Sequence, residues 1–179
     1  MTTNEREGIE YPALYLKRGE DARLRAGHLW VFANEVDVAR SPLTSFEAGE
    51  PCAILDARGK PLGVGYVNPH SLICARLVSR GLERALDASL LTHRLKLALA
   101  LRDRLFPEPY YRLFYGESDF VPGLMLDRFD DVILAQATTA GIERLKPQIE
   151  IAVKKVLNPR AMIWKNDAGI RALEQLPSY

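Results

Sequence analysis

The chain has 179 residues, 47% of them hydrophobic and 26% charged, which is the balance of a globular protein and enough length for one medium domain or two small ones. The formal net charge is +1 and each half is near neutral: residues 1–80 carry ten Lys/Arg against ten Asp/Glu, and residues 81–179 fourteen against thirteen, together the 24 and 23 of the whole. Composition argues against a disordered chain and against a globally basic nucleic-acid binder, so a nucleic-acid surface here has to be a local patch.

No apolar run approaches the roughly 20 residues that span a bilayer. The opening MTTNEREGIEYP lacks the basic-then-apolar layout of a secretory signal. No membrane partner and a cytoplasmic location are therefore expected. Cys52 and Cys74 are too few for a disulfide framework or a zinc site, and both fall in apolar, strand-like runs, so they read as buried thiols.

In chain order, residues 1–9 read as a loose terminus. Ala13 to Lys17 reads as a strand, Gly19 to Ala26 as a short polar helix stopped by Gly27, and Leu29 to Phe32 as an aromatic, β-branched strand. Residues 39–50 are loop-like. Cys52 to Leu55 and Leu62 to Val67 form two strands around the turn Asp56-Ala57-Arg58-Gly59-Lys60, Asn68-Pro69 is another turn, and Leu72 to Val78 is a further strand. About five short strands within residues 11–80 suggest a small β-barrel or sandwich.

The pattern then changes, with a border near residues 80–86. From Asp87 to Leu105 the apolar positions Leu90, Leu91, Leu95, Ala98, Leu101 and Leu105 recur at helical spacing, and Pro107 and Pro109 end the helix. Arg112 to Tyr115, Leu124 to Met125-Leu126 and Val132 to Ala137 read as strands, with residues 127–131 as a turn. A second helix spans about Ile142 to Val156, Asn158-Pro159 stops it, and Met162 to Trp164 is a last strand. This second block is α+β.

No candidate chemistry stands out from the residues alone. Gly63-x-Gly65 lacks the third glycine and the following helix of a dinucleotide fingerprint, so two glycines in a closely packed strand are the better reading. Glu117, Asp119 and Asp127 gather near one loop and could serve a small metal-dependent hydrolase, but they sit in turn-forming sequence without a histidine at ligand spacing. His28, His70 and His93 are far apart. The most suggestive patch is Lys17, Arg18, Arg23, Arg25 and His28, near Trp30 and Phe32, where cations could meet phosphates and aromatic faces could meet unpaired bases. A solvated helix face is the competing reading, with Trp30 and Phe32 assigned to the core. The basic helix residues Arg94, Lys96, Arg102 and Arg104 carry the same ambiguity.

Three segments taken together resemble one family: Lys17-Arg18-Gly19-Glu20 through Arg25-Ala26-Gly27-His28-Leu29-Trp30-Val31-Phe32 to Asn34-Glu35-Val36; Asp56-Ala57-Arg58-Gly59 through Gly63-Val64-Gly65-Tyr66-Val67-Asn68-Pro69 to Ile73-Cys74-Ala75-Arg76; and Tyr111-Arg112-Leu113 through Gly116-Glu117-Ser118-Asp119 to Pro122-Gly123-Leu124 and Asp127-Arg128-Phe129. The ordered set, over about residues 11–175, resembles the class I SAM-dependent RNA methyltransferases that make 5-methylcytosine in bacterial 23S ribosomal RNA. The resemblance implies a PUA-like β-barrel over residues 1–80 and, over 81–179, an α+β middle domain of strand-strand-helix-strand-strand order. It further implies a SAM-binding Rossmann-like catalytic domain, for which no matching Gly-rich turn, Asp-Pro-Pro loop or catalytic cysteine is found in this chain. The expectation is therefore an RNA-recognition portion without methyl transfer or cofactor of its own, S-adenosyl-L-methionine belonging to the full-length family. The chain would be either a piece of a longer protein or a shortened natural one.

The implied partner is large-subunit ribosomal RNA, with Lys17, Arg18, Arg23, Arg25, His28, Asn68 and Arg76 as the RNA-binding residues. Phe120 departs from the family, which usually has Gly after Glu-Ser-Asp. The alternative is a docking or homodimerisation module that does not touch RNA.

Overall fold

Short β-branched and aromatic runs separated by turn residues build the first sheet of the computed structural model, which describes residues 11–82 and 85–179. Its strands are β1 (Ala13–Tyr15), β2 (Trp30–Val31), β3 (Glu50–Leu55), β4 (Pro61–Val67) and β5 (Ala75–Ser79), in the order β1-β3-β4-β5-β2. Only β1 and β3 run parallel; the other neighbours are antiparallel. The helix α1 (Ala22–Arg25) is one turn long, held by the buried Leu24, and Gly27 ends it at φ +111. Leu14, Leu16, Val31, Val36, Ile54 and Leu77 fill the core, together with both thiols.

The β3–β4 turn is fixed by Asp56, whose Oδ1 accepts from the backbone N–H groups of Arg58 and Lys60 at 2.9 Å each. Gly63 and Gly65 answer to close strand packing: a Cβ there would lie 2.0 Å from the Ser79 carbonyl oxygen and 2.1 Å from that of Arg76.

The second half comprises α2 (Ala88–Leu105), β6 (Tyr110–Tyr115), β7 (Leu124–Phe129), β8 (Val132–Ala137), α3 (Ala140–Leu157), β9 (Ala161–Trp164) and the short α4 (Ile170–Leu173). The α+β class holds. The element order does not follow strand-strand-helix-strand-strand: it is helix, three strands, helix, strand, short helix. The sheet runs β6-β7-β8-β9, antiparallel except for β8 and β9, which α3 connects in parallel. Leu91 and Leu95 of α2 and Ile149, Ala152 and Val153 of α3 pack on Phe114, Leu124, Leu126 and Ala135 of the strands. Asp87 caps α2 by accepting from the Leu90 N–H at 2.9 Å, and Asn158 closes α3 in the left-handed region at φ +43.

The strand β7 runs on through Asp127–Phe129, where a turn was expected, because Arg112 on β6 grips Asp127 across the ladder. The turn shrinks to Asp130-Asp131. Among the described residues no helix covers the sheet face that carries Tyr110, Tyr115, Phe129 and Ile163, all about half exposed.

The two sheets meet along a packed seam. Tyr66 of β4 is buried in the second core, its hydroxyl bonded to the Pro122 carbonyl and to Thr139 Oγ1. Gly141 of α3 lies flat on its ring, where a Cβ would stand 2.0 Å from Cγ. The loose terminus expected for residues 1–9, and part of the border expected at 80–86, lie outside the described residues.

Candidate nucleic-acid interface

The β1–α1–β2 segment turns sharply through Gly19 and Gly27, so its polar residues face outward while Leu16, Leu24 and Val31 face the core. Lys17, Arg18, Arg23, Arg25 and His28 are all exposed. Their charges are not equally available. Lys17 Nζ donates only to the Asn34 carbonyl at 2.8 Å, and Arg18 has no side-chain partner among the described residues, so both keep an uncompensated positive charge. Arg23 is shared between Glu35 (3.5 Å), the Trp30 carbonyl (3.3 Å) and the Phe32 ring, whose centroid lies 4.9 Å from its Cζ. Arg25 is held by Asp21 and by Asp56 at 2.9 Å, and the Asp21 hydrogen bond raises its pKa.

Asn68 and Arg76 do not join this surface. They are 1% and 7% exposed and both address Glu174: Asn68 Nδ2 donates to Oε2 and Arg76 Nη2 to Oε1, each at 2.8 Å. The reason is that β5 is buried along its whole length, so Arg76 points into the seam between the sheets.

Two further residues join this surface. Trp30, which the sequence left between a stacking face and the core, is 39% exposed, because β2 is a two-residue edge strand that turns Val31 inward and Trp30 outward. Arg80 donates to the Leu24 carbonyl at 2.7 Å and the His28 carbonyl at 3.5 Å, which adds an exposed cation to the α1–β2 corner. Its position just after β5, the partner strand of β2, was the signal, readable only once that pairing is known.

The carboxylate loop is structural. Asp119 makes a bidentate pair with Arg102 at 2.7 Å and accepts from the Tyr115 N–H at 2.7 Å. Asp127 makes another with Arg112, and Glu117 accepts from the Trp30 indole at 2.8 Å. Among the described residues no group of three or more His, Cys, Asp or Glu could hold a metal. Arg102 is thereby tied down, Arg94 stacks on Phe120 with Cζ 5.1 Å from the ring centroid, and Lys96, Arg104, His70 and His93 are scattered and exposed. Cys52 and Cys74 are fully buried; burial pushes the Cys74 thiol up to about 12 and raises that of Cys52 further. No helix among the described residues is long and apolar enough to cross a membrane.

Residues 14–80 match the family model described as a PUA-like domain. The chain is 32% identical over 167 residues to ribosomal RNA large subunit methyltransferase I of Pseudoalteromonas translucida, a match that covers 92% of this chain and 41% of that protein. The enzyme of the same name from Tolumonas auensis is 30% identical over 166 residues (91% and 41%), and that from Salmonella gallinarum 32% over 169 (92% and 41%). Two solved structures, one described as a methyltransferase complexed with SAH and one as a SAM-dependent methyltransferase from Streptococcus mutans, share the fold at TM-score 0.71 and 14% identity, covering 86% of this chain and 40% of theirs. The chain thus carries a PUA-like domain and is similar, along nearly all of its length, to ribosomal RNA large subunit methyltransferase I, of whose length it spans about two fifths.

Proposed function

We propose that this chain is the RNA-recognising portion of a SAM-dependent methyltransferase that modifies cytosine C5 in 23S ribosomal RNA, and that residues 11–179 perform no methyl transfer themselves. The observation that carries the proposal is the exposed cluster Lys17, Arg18, Arg23, Arg25 and His28 on the PUA-like domain, joined by Arg80. Arg and Lys around a protruding turn bind structured RNA through its phosphates, and such contacts set orientation without reading sequence. Cytosine C5 methylation needs a thiolate to add to the base, and two buried thiols held in their neutral form do not suit that task. S-adenosyl-L-methionine is accordingly assigned to the remainder of such an enzyme.

Binding of the chain to a large-subunit ribosomal RNA segment across a salt series tests the proposal, with Arg23→Ala/Arg25→Ala and Lys17→Ala/Arg18→Ala alongside. Affinity should fall steeply with salt. The Lys17/Arg18 double variant should flatten the slope by about one unit for each phosphate no longer neutralised, and the Arg23/Arg25 variant by less, because those guanidinium groups are already paired with carboxylates. Absence of binding at low salt would reject the proposal.

A docking or homodimerisation role is the second reading. It is favoured by the uncovered sheet face with Tyr110, Tyr115, Phe129 and Ile163, and salt-insensitive self-association in sedimentation would support it.

A further inference from the structure

The two halves leave a cleft of about 290 Å³ at their seam, lined by Gly27, His28, Leu29 and Trp30 from the first and by Glu117 and Phe120 from the second. It has the content of a base-binding slot. Two aromatic rings stand on it, Trp30 at 39% and Phe120 at 48% exposure. Neither ring is loosely held. The Trp30 indole N–H is fixed by Glu117 Oε1 at 2.8 Å, and the Arg94 guanidinium stacks on the Phe120 ring.

Phe120 also occupies a left-handed backbone position, φ +62 and ψ +27, which a bulky side chain rarely adopts. Glycine would sit there without strain. An exposed aromatic kept at such a position, over a cleft and beside cations, reads as a ring held out for a ligand. Glu117 is exposed and keeps an outer carboxylate oxygen able to accept from an amino group.

We infer that this cleft takes one unpaired nucleobase of the bound RNA. The base stacks on the Trp30 and Phe120 rings, and Glu117 selects bases with an exocyclic amino group over uracil. The inference rests on the RNA-binding reading above and gives it a base-specific component, which phosphate contacts from Lys17, Arg18 and Arg80 do not supply.

Three RNA hairpins of one sequence serve as probes: one with a single bulged cytosine, one with a bulged uracil, and one fully paired. They are titrated against the chain and its Phe120→Gly variant, and Trp30 emission is followed in a Trp164→Phe background. The chain should bind the bulged-cytosine hairpin best and quench Trp30 with it. Phe120→Gly should weaken that hairpin by roughly 5- to 150-fold, the range for removing one base stack, and leave the paired hairpin unchanged. The thermal midpoint of Phe120→Gly should hold or rise, since the backbone strain is relieved. If all three hairpins bind equally, with Trp30 unquenched and Phe120→Gly without effect, the base site is overturned while RNA binding stands. If none binds at low salt, both readings fall together.

Discussion

Asp56 shows how a single side chain sets the shape of the basic surface. The Lys60 and Arg58 backbone N–H groups and the Arg25 guanidinium favour its charged form and hold its carboxyl below the usual carboxylate range. A folded-state pKa lowered in this way contributes stability that is present above the unfolded value near 4 and is lost as pH falls through the folded value. Asp56→Asn should therefore unfold at a lower temperature than the native chain at pH 7, and the gap should narrow only as the pH falls below the ordinary aspartate range and through the lowered folded-state value, closing where both side chains are neutral. A gap independent of pH would contradict the assignment. At this scale the glycine turns were legible, since Gly27 and Gly59 both take positive φ where a helix stop and a hairpin turn were read. The interior placement of Asn68 and Arg76 was not, because their partner Glu174 lies about a hundred positions away in the chain.

Long elements announced themselves through periodicity. The helices α2 and α3 and the strands β3, β4 and β8 fall where their apolar patterns place them, with ends shifted by a few residues. The α4 helix has four residues, too few for any period, and was not foreseen. The residue that caps its C-terminal end nevertheless ties the halves together. Glu174, 3% exposed, accepts from Arg76, Asn68 and the Ala140 N–H at the start of α3. Removing one member of a buried ion pair strands the other without solvent, so Glu174→Ala should lower stability by about 3–5 kcal/mol in urea denaturation. A loss below about 1 kcal/mol would mean that water reaches Arg76 and the seam is looser than described.

For the molecule as a whole, near-neutral composition confines the proposed RNA surface to a local patch, and the run between Lys17 and His28 supplies the residues proposed for it. What the chain alone did not reveal is that a second-half loop completes it: Glu117 and Phe120 close on Trp30 across 87 and 90 positions of sequence, and Arg80 arrives from the end of β5. The surface is thus a property of the packed seam as well as of the PUA-like domain. The most direct test is to photocrosslink the intact chain to a large-subunit ribosomal RNA segment and map the linked peptides by mass spectrometry. The account predicts crosslinks concentrated in residues 17–32, at Arg80 and at the Glu117–Phe120 turn, and abolished in high salt. Crosslinks confined to the uncovered sheet face around Tyr110 and Phe129, with residues 17–32 unlabelled, would contradict it.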